Sequence, residues 1–419
     1  MHSILVVKTS LVTGCALCLV LGVLAGRTAQ AAVVLEVQAG ACDREAVPVE
    51  ANLPTELPSD APLELTRLDT RQSVPVQLIA GAPPRLVWMI GERLAAGQSR
   101  RYRLATAARA TAAVENPVTA LQADGRVLLK VGPLSVLQYH AGVVPSADPE
   151  QPCFARSGFI HPVFDPMKRM LTDAMPPDHL HQHGIMFAWV KATFEGRAVD
   201  FWNSKKEEGE IGHVALESVV SGPVLAGFTA RLEHRDRTAP GGPKPVLNET
   251  WDVRVYRRSE GFLFDLHSVQ ACAGSSRLVL SKNIYGGLCV RGNSAWLERD
   301  QGDFLTSEGQ TREDGNHTRP NWVDLWGKLD GHPSGITSFC HPENFRAPQP
   351  VRLHPTKPYL CWSPCVLDDF AIEPGQPYTS RYRFFVHADK LDMAVARRLW
   401  SDYSQPVKVS VVADPSASR

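Results

Sequence analysis

Through most of this chain apolar and polar positions alternate with a period of two, in short stretches broken by turn residues, and that period predicts strands. Between 32 and 108 strands are expected at 33–37, 46–50, 63–68, 74–78, 85–89 and 101–104. Six short strands with frequent turns predict a small β-sandwich. The Ala- and Thr-rich stretch 105–117 reads as a linker to a second unit at 118–403. There the series continues at 127–131, 136–139, 214–220, 226–234, 248–256 and 262–269, with Gly132-Pro133 as a hairpin turn and long loops at 238–245 and 301–320. So many strands with little helix predict a large β-sandwich, and the fold class is all-β. A single helix is expected near the end, where Leu391, Val395 and Leu399 recur every four residues, Trp400 widens the apolar face and Asp389 can cap it. Residues 404–419 read as a mobile tail.

One apolar run breaks the alternation. Ile185-Met186-Phe187-Ala188-Trp189 predicts a strand buried on both faces, and directly before it stands Asp178-His179-Leu180-His181-Gln182-His183-Gly184. Pro176-Pro177 disfavours a helix there. In an extended segment i, i+2 and i+4 share a face, so His179, His181 and His183 are expected to project together, with Gln182 opposite. Gly184 allows a bend or a close backbone approach at the strand entry. Imidazole titrates near neutrality, so three of them beside a carboxylate suit proton transfer, metal ligation or a polyhydroxylated ligand.

The first 31 residues read as an export signal: Lys8, an apolar run over 11–25, and small residues Ala29 and Ala31 before a cleavage point. An uncleaved anchor is the alternative. The chain is therefore expected to be exported, periplasmic or extracellular. Its 44 basic residues balance 44 acidic ones, which gives no electrostatic case for nucleic acid or an anionic membrane. Past residue 31 seven cysteines remain, too scattered for a disulfide scaffold, with Cys361 and Cys365 the pair spaced for a bridge. No Gly-x-Gly-x-x-Gly or phosphate loop occurs, so no nucleotide cofactor is expected; a divalent metal on His179, His181 and His183 stays open.

Four motifs together resemble the secreted bacterial PmoA-like proteins, a family of unknown function: Arg156-Ser157-Gly158-Phe159-Ile160-His161-Pro162, Asp178-His179-x-His181-Gln182, Val199-Asp200-Phe201-Trp202-Asn203 and His341-Pro342-Glu343-Asn344. Where many members read Asp-His-Pro-His-His-Arg-Gly, this chain has Leu180, Gln182 and His183; Asp178, His179 and His181 match. The resemblance implies a galactose-mutarotase-like β-supersandwich, with Ile372-Glu373-Pro374-Gly375 leading into its closing strand at 381–386, preceded by an accessory β-sandwich. It also implies a carbohydrate ligand.

A sugar site needs an acid/base pair, an aromatic surface and groups for hydroxyls. The acid/base candidates are His179, His181, His183, Glu249, His267 and His341. On the expected strands Glu249 shares a face with Trp251, and Asp265 shares one with His267 and is placed to orient it. Asp178, Gln182, Trp202, Asn203 and Asn344 are the candidates for substrate contacts. Trp189, Trp322 and Trp326 are the other aromatic possibilities, although tryptophan more often packs in a core. Three functions follow: an enzyme moving protons on a sugar or glycan, as an epimerase, lyase or hydrolase; a metal-dependent enzyme; or a non-catalytic glycan-binding protein.

Overall fold

The computed structural model describes residues 31–107, 114–298 and 300–414. The expected export signal lies outside them, apart from Ala31, as do residues 108–113 of the expected linker. Among the described residues no helix is long and apolar enough to cross a membrane.

The protein is all-β with one α-helix among the described residues. Two eight-stranded antiparallel sheets form its largest part. The first carries the long strands Gly209–Val220, Leu225–Asp236, Lys244–Tyr256 and Phe262–Cys272, continued by Tyr378–His387, His332–Cys340, Trp322–Leu329 and Gly302–Thr306. The second runs from Val351–Leu353 through Tyr359–Trp362, Gly287–Arg291, Ile185–Ala188, Phe159–Val163 and Leu134–His140 to Arg126–Val131 and Val118–Ala123. Apolar residues from both, among them Phe228, Leu232, Val253 and Phe264 of the first and Leu137, Ile160, Phe187 and Val290 of the second, merge into one core. This is the packing that alternating strands require: each sheet buries one face against the other. The four residues of Ile185–Ala188 are all buried, as the unbroken apolar run predicts.

The hairpin expected around Gly132-Pro133 forms between Arg126–Val131 and Leu134–His140. Residues 32–106 supply four strands of a five-stranded sheet and all of a three-stranded one around a second core, with Leu35, Val49, Trp88 and Leu104 in it. Two expectations at the C-terminal end are corrected. The helix is Met393–Ser404, and its cap is Asp392, whose carboxylate accepts the Ala394 amide, while Asp389 lies outside. The segment following it is not a free tail over its whole length. Lys408–Val412 is a strand that pairs along Ala32–Gln38, with Val407 and Val409 packed on the N-terminal core. Alternating valines there supply a strand pattern that position near the terminus obscured. A buried Arg44–Asp402 ion pair at 3.0 Å ties the helix to the N-terminal sheets.

The Cys361–Cys365 bridge does not form. Cys361 Sγ lies instead 3.1 Å from Cys289 Sγ on the neighbouring strand, both as buried thiols.

Candidate functional site

Between Phe159–Val163 and Ile185–Ala188 the chain makes a loop of turns. The His179 amide donates to Pro176 O, the Gln182 amide to His179 O, and the Met175 amide to Gln182 O. The segment 179–183 is therefore not extended, and the expected common face for three imidazoles is lost. His183 turns inward: it is fully buried, Nδ1 3.1 Å from the His181 carbonyl and Nε2 3.2 Å from the Phe154 carbonyl. A neutral ring has one N–H for those two acceptors. Gly184 behaves as expected: at φ +48° it runs so close to strand Phe159–Val163 that a Cβ would sit 2.1 Å from Ile160 O.

His179 and His181 stay on the outer side, with ring centroids 5.5 Å apart. They belong to a circuit of half-buried and buried side chains. The His179 ring stands 5.8 Å from His354, nearly perpendicular to it. His181 faces Trp202 at 6.5 Å, Trp202 packs on Tyr285 at 5.2 Å, and the Arg352 guanidinium lies 5.2 Å over the Tyr285 ring. Arg352 precedes His354 by two residues, which closes the circuit. His179, His181, Tyr285, Arg352 and His354 come from the ends of strands of the second sheet and the loops beside them, and Trp202 from the turn after Arg197–Val199 in a separate four-stranded sheet, which is why distant sequence positions meet.

Beneath the circuit lies a buried arginine. Arg291 is 0 % exposed and pairs across the ladder with Tyr359. Its guanidinium donates to Gln182 Oε1 at 2.8 Å and to both Asp178 oxygens at 3.0 and 3.3 Å. Asp178 also meets Lys357 Nζ at 3.2 Å and accepts from His179 Nδ1 at 3.0 Å. Burial pushes the Asp178 carboxyl upward, but Arg291, His179 and Lys357 outweigh it and hold the group well below the usual carboxylate range.

These contacts orient two rings. His179 Nδ1–H donates to the Asp178 carboxylate. His354 Nδ1 accepts the amides of Thr356 and Lys357, at 3.2 and 3.1 Å, so its N–H is at Nε2. Burial, then Arg352, His179 and Lys357, lower His354 to about 4. Burial and His179 bring His181 to about 4 as well. The site thus presents an imidazole oriented by Asp178 on His179 and, at neutral pH, a neutral N–H donor on His354.

The other expected residues go elsewhere. Glu249 and Trp251 do share a face, but it is the inner one. Glu249 is 0 % exposed and accepts from His234, Trp251, Ser268 and Gln270. It sits in the core between the sheets, away from any ligand. His267 is on the outer face of the first sheet, and Asp265 does not orient it: Asp265 is taken by Arg383, at 2.7 and 2.8 Å, and the Tyr256 hydroxyl. His341 stacks edge-on against Tyr403, and Asn344 bonds the Arg381 backbone through both ends of its amide. That loop is a structural turn against the helix. Asn203 serves Asp200, which also accepts the Trp202 amide and Lys206. Trp189 and Trp322 are core residues.

The inward turn of His183 separates it from His179 and His181, so the three do not share one face. Among the described residues, no three His, Cys, Asp or Glu side chains converge as a metal would need. Arg291, His354, Lys357, Arg352 and Tyr285 were not singled out by their motifs. Only Arg291 carried a signal, an arginine ending the apolar strand Gly287–Arg291.

Residues 126–401 match the model of a family of unknown function, DUF6807. The chain belongs to that family. The match takes in the whole candidate site, and the family's description assigns no activity. No curated protein matches the chain. Among solved structures, a protein in glycosyl hydrolase family 38 from Enterococcus faecalis is similar at 10% identity with a TM-score of 0.41, over 91% of this chain and 47% of that one. The DUF6807 chain thus spans about half the length of that protein.

The inward histidine has a measurable consequence. Burial and Arg156 hold His183 down at about 3, against 6.5 for an ordinary imidazole. A depressed value in the folded state means that the unfolded chain binds the proton first as pH falls. Stability present above pH 6.5 is therefore lost progressively between 6.5 and 3, at ~1.4 kcal/mol per pH unit for this group. Urea unfolding of wild type and His183→Gln from pH 7 to 4.5 should show a slope shallower by about that amount in the variant. Parallel slopes would mean that His183 titrates normally.

Proposed function

We propose that this DUF6807 protein is an exported carbohydrate-active enzyme that moves a proton on a sugar or glycan at the His179–His354 site. The observation that carries the reading is the pair of oriented rings. Asp178 orients His179, whose Nε2 accepts a proton when the ring is neutral, and the facing His354 holds a neutral Nε2–H that can polarise or protonate an oxygen. The half-buried Tyr285 ring, backed by the buried Trp202, is the aromatic surface for the apolar side of a sugar, and His181 stands between Trp202 and His179. In this reading the fold around the site is galactose-mutarotase-like, as the motifs shared with PmoA-like proteins imply, and the small N-terminal sandwich is an accessory unit.

The test is a turnover screen of the purified protein against plant, algal and bacterial glycans, read by reducing ends, by ultraviolet absorbance of unsaturated products and by anomeric exchange. Turnover abolished by His179→Gln, with the thermal midpoint unchanged, supports the proposal. Tight binding of a glycan without any turnover would make this a glycan-binding protein, and neither binding nor turnover would remove sugar from the reading altogether.

A further inference from the structure

The charges around the site do not balance. Arg291, Lys357 and Arg352 surround it, against the single carboxylate of Asp178, which Arg291 and Lys357 already share. Asp200, the other acid near His181, is neutralised by Lys206 at 2.8 Å. Among the described residues Arg352 meets no carboxylate. Its NH1 donates to Asn316 Oδ1 and the Leu353 carbonyl, both at 3.1 Å, and its NH2 reaches the Tyr285 hydroxyl at 3.4 Å. Its Nε is buried and has no acceptor, and neither has His317 Nε2, which feels the Arg352 charge. Nε lies too deep for a ligand, but NH2, with only the 3.4 Å contact to Tyr285, keeps an N–H for a further acceptor. The planar fork suits a carboxylate.

The surplus has a definite place. Arg352 lies over the Tyr285 ring, and Lys357, whose amide bonds His354 Nδ1, puts its Nζ 3.2 Å from Asp178. A ligand that reaches Tyr285, with an oxygen at His354 Nε2, would bring a ring substituent toward Arg352, whose guanidinium lies over that ring. A neutral sugar would leave that cation unanswered.

We infer that the ligand of this site is an acidic sugar, a uronate residue whose carboxylate is held by Arg352 within the field of Lys357. The inference rests on the carbohydrate reading above and narrows it. One Asp178 carboxylate suffices to orient His179, so the remaining positive charge is free for the ligand.

Calorimetric titration with trimers of galacturonate, glucuronate and mannuronate, each beside its carboxyl-reduced neutral counterpart, tests it. At least one acidic trimer should bind ten or more times as tightly as its neutral counterpart, and the advantage should shrink as salt rises from 50 to 500 mM. Arg352→Gln should erase the preference by weakening the acidic trimer at least tenfold with the neutral one unchanged. Arg352→Lys should keep more of it, and thermal melts of both variants guard against misfolding. Equal or tighter binding of the neutral trimers would overturn the acidic ligand and leave the sugar reading standing. Acetate competing as well as a trimer would point to a bare anion site and overturn both, as would no binding at all.

Discussion

Replacing Glu249 by alanine is expected to destabilise the protein by about 3–5 kcal/mol, the cost of breaking a buried charged network from one side. The carboxylate is completely buried and accepts four side-chain donors: His234 Nε2 at 2.7 Å, Trp251 Nε1 at 2.7 Å, Ser268 Oγ at 2.6 Å and Gln270 Nε2 at 3.0 Å. Gln270 in turn takes the Trp189 indole N–H at 2.7 Å through its Oε1, so the network spans both sheets. Burial alone would raise the Glu249 carboxyl, but these donors, His234 first, hold it below its ordinary value, so it is ionised. Alanine would leave four buried donors unpaired and remove the Glu249 charge that favours the cationic form of the nearby, buried Arg156. Glutamine should be milder in size, yet its NH2 would face donors where the carboxylate faces them with lone pairs. Urea midpoints measured at constant m-value give the answer. A midpoint within a few tenths of a molar of wild type would show that the network is not holding the sheets together.

Glu249 also shows how far the sequence could be read. Strand alternation put Glu249 and Trp251 on one face, and the structure agrees. Alternation says nothing of which face meets the opposing sheet, because that depends on a partner strand far along the chain. The same limit applies to His267, which is one residue out of phase with Ser268 and so faces outward. The histidine cluster was legible by its density, and Asp178, His179 and His181 do meet. Its geometry was not, since the turns closed by Pro176, His179 and Gln182 carbonyls are set by the flanking strands and not by Pro176-Pro177 alone. Arg291, Arg352 and His354 are brought to the loop by sheet order, which joins the strands ending at 291 and 353 to a shared neighbour, Tyr359–Trp362. No spacing along the chain encodes that. The fold class, in contrast, follows from the period of two in strand after strand, and the C-terminal strand was missed because terminal position was weighed above its alternating valines.

Exchange of His179 for alanine is expected to lower kcat/KM about 10²- to 10⁴-fold on the glycan that the turnover screen identifies, the range for loss of a positioned acid/base group. The thermal midpoint should move little. The ring is partly exposed and its one hydrogen bond is to Asp178, which keeps Arg291 and Lys357 as partners after the exchange. That separation matters, because Asp178→Asn would also disturb the buried Arg291 and confuse catalysis with folding. His354→Ala should fall in the same range, for a different reason. It removes the Nε2–H donor and also the acceptor for the Thr356 and Lys357 amides, so His354→Gln is the better probe of the donor alone. If the two rings act on one proton-transfer step, the double variant should lose much less than the product of the single losses. Near-wild-type kcat/KM in His179→Ala, with the fold intact, would sink the proton-transfer role and leave the site as a place where a sugar binds.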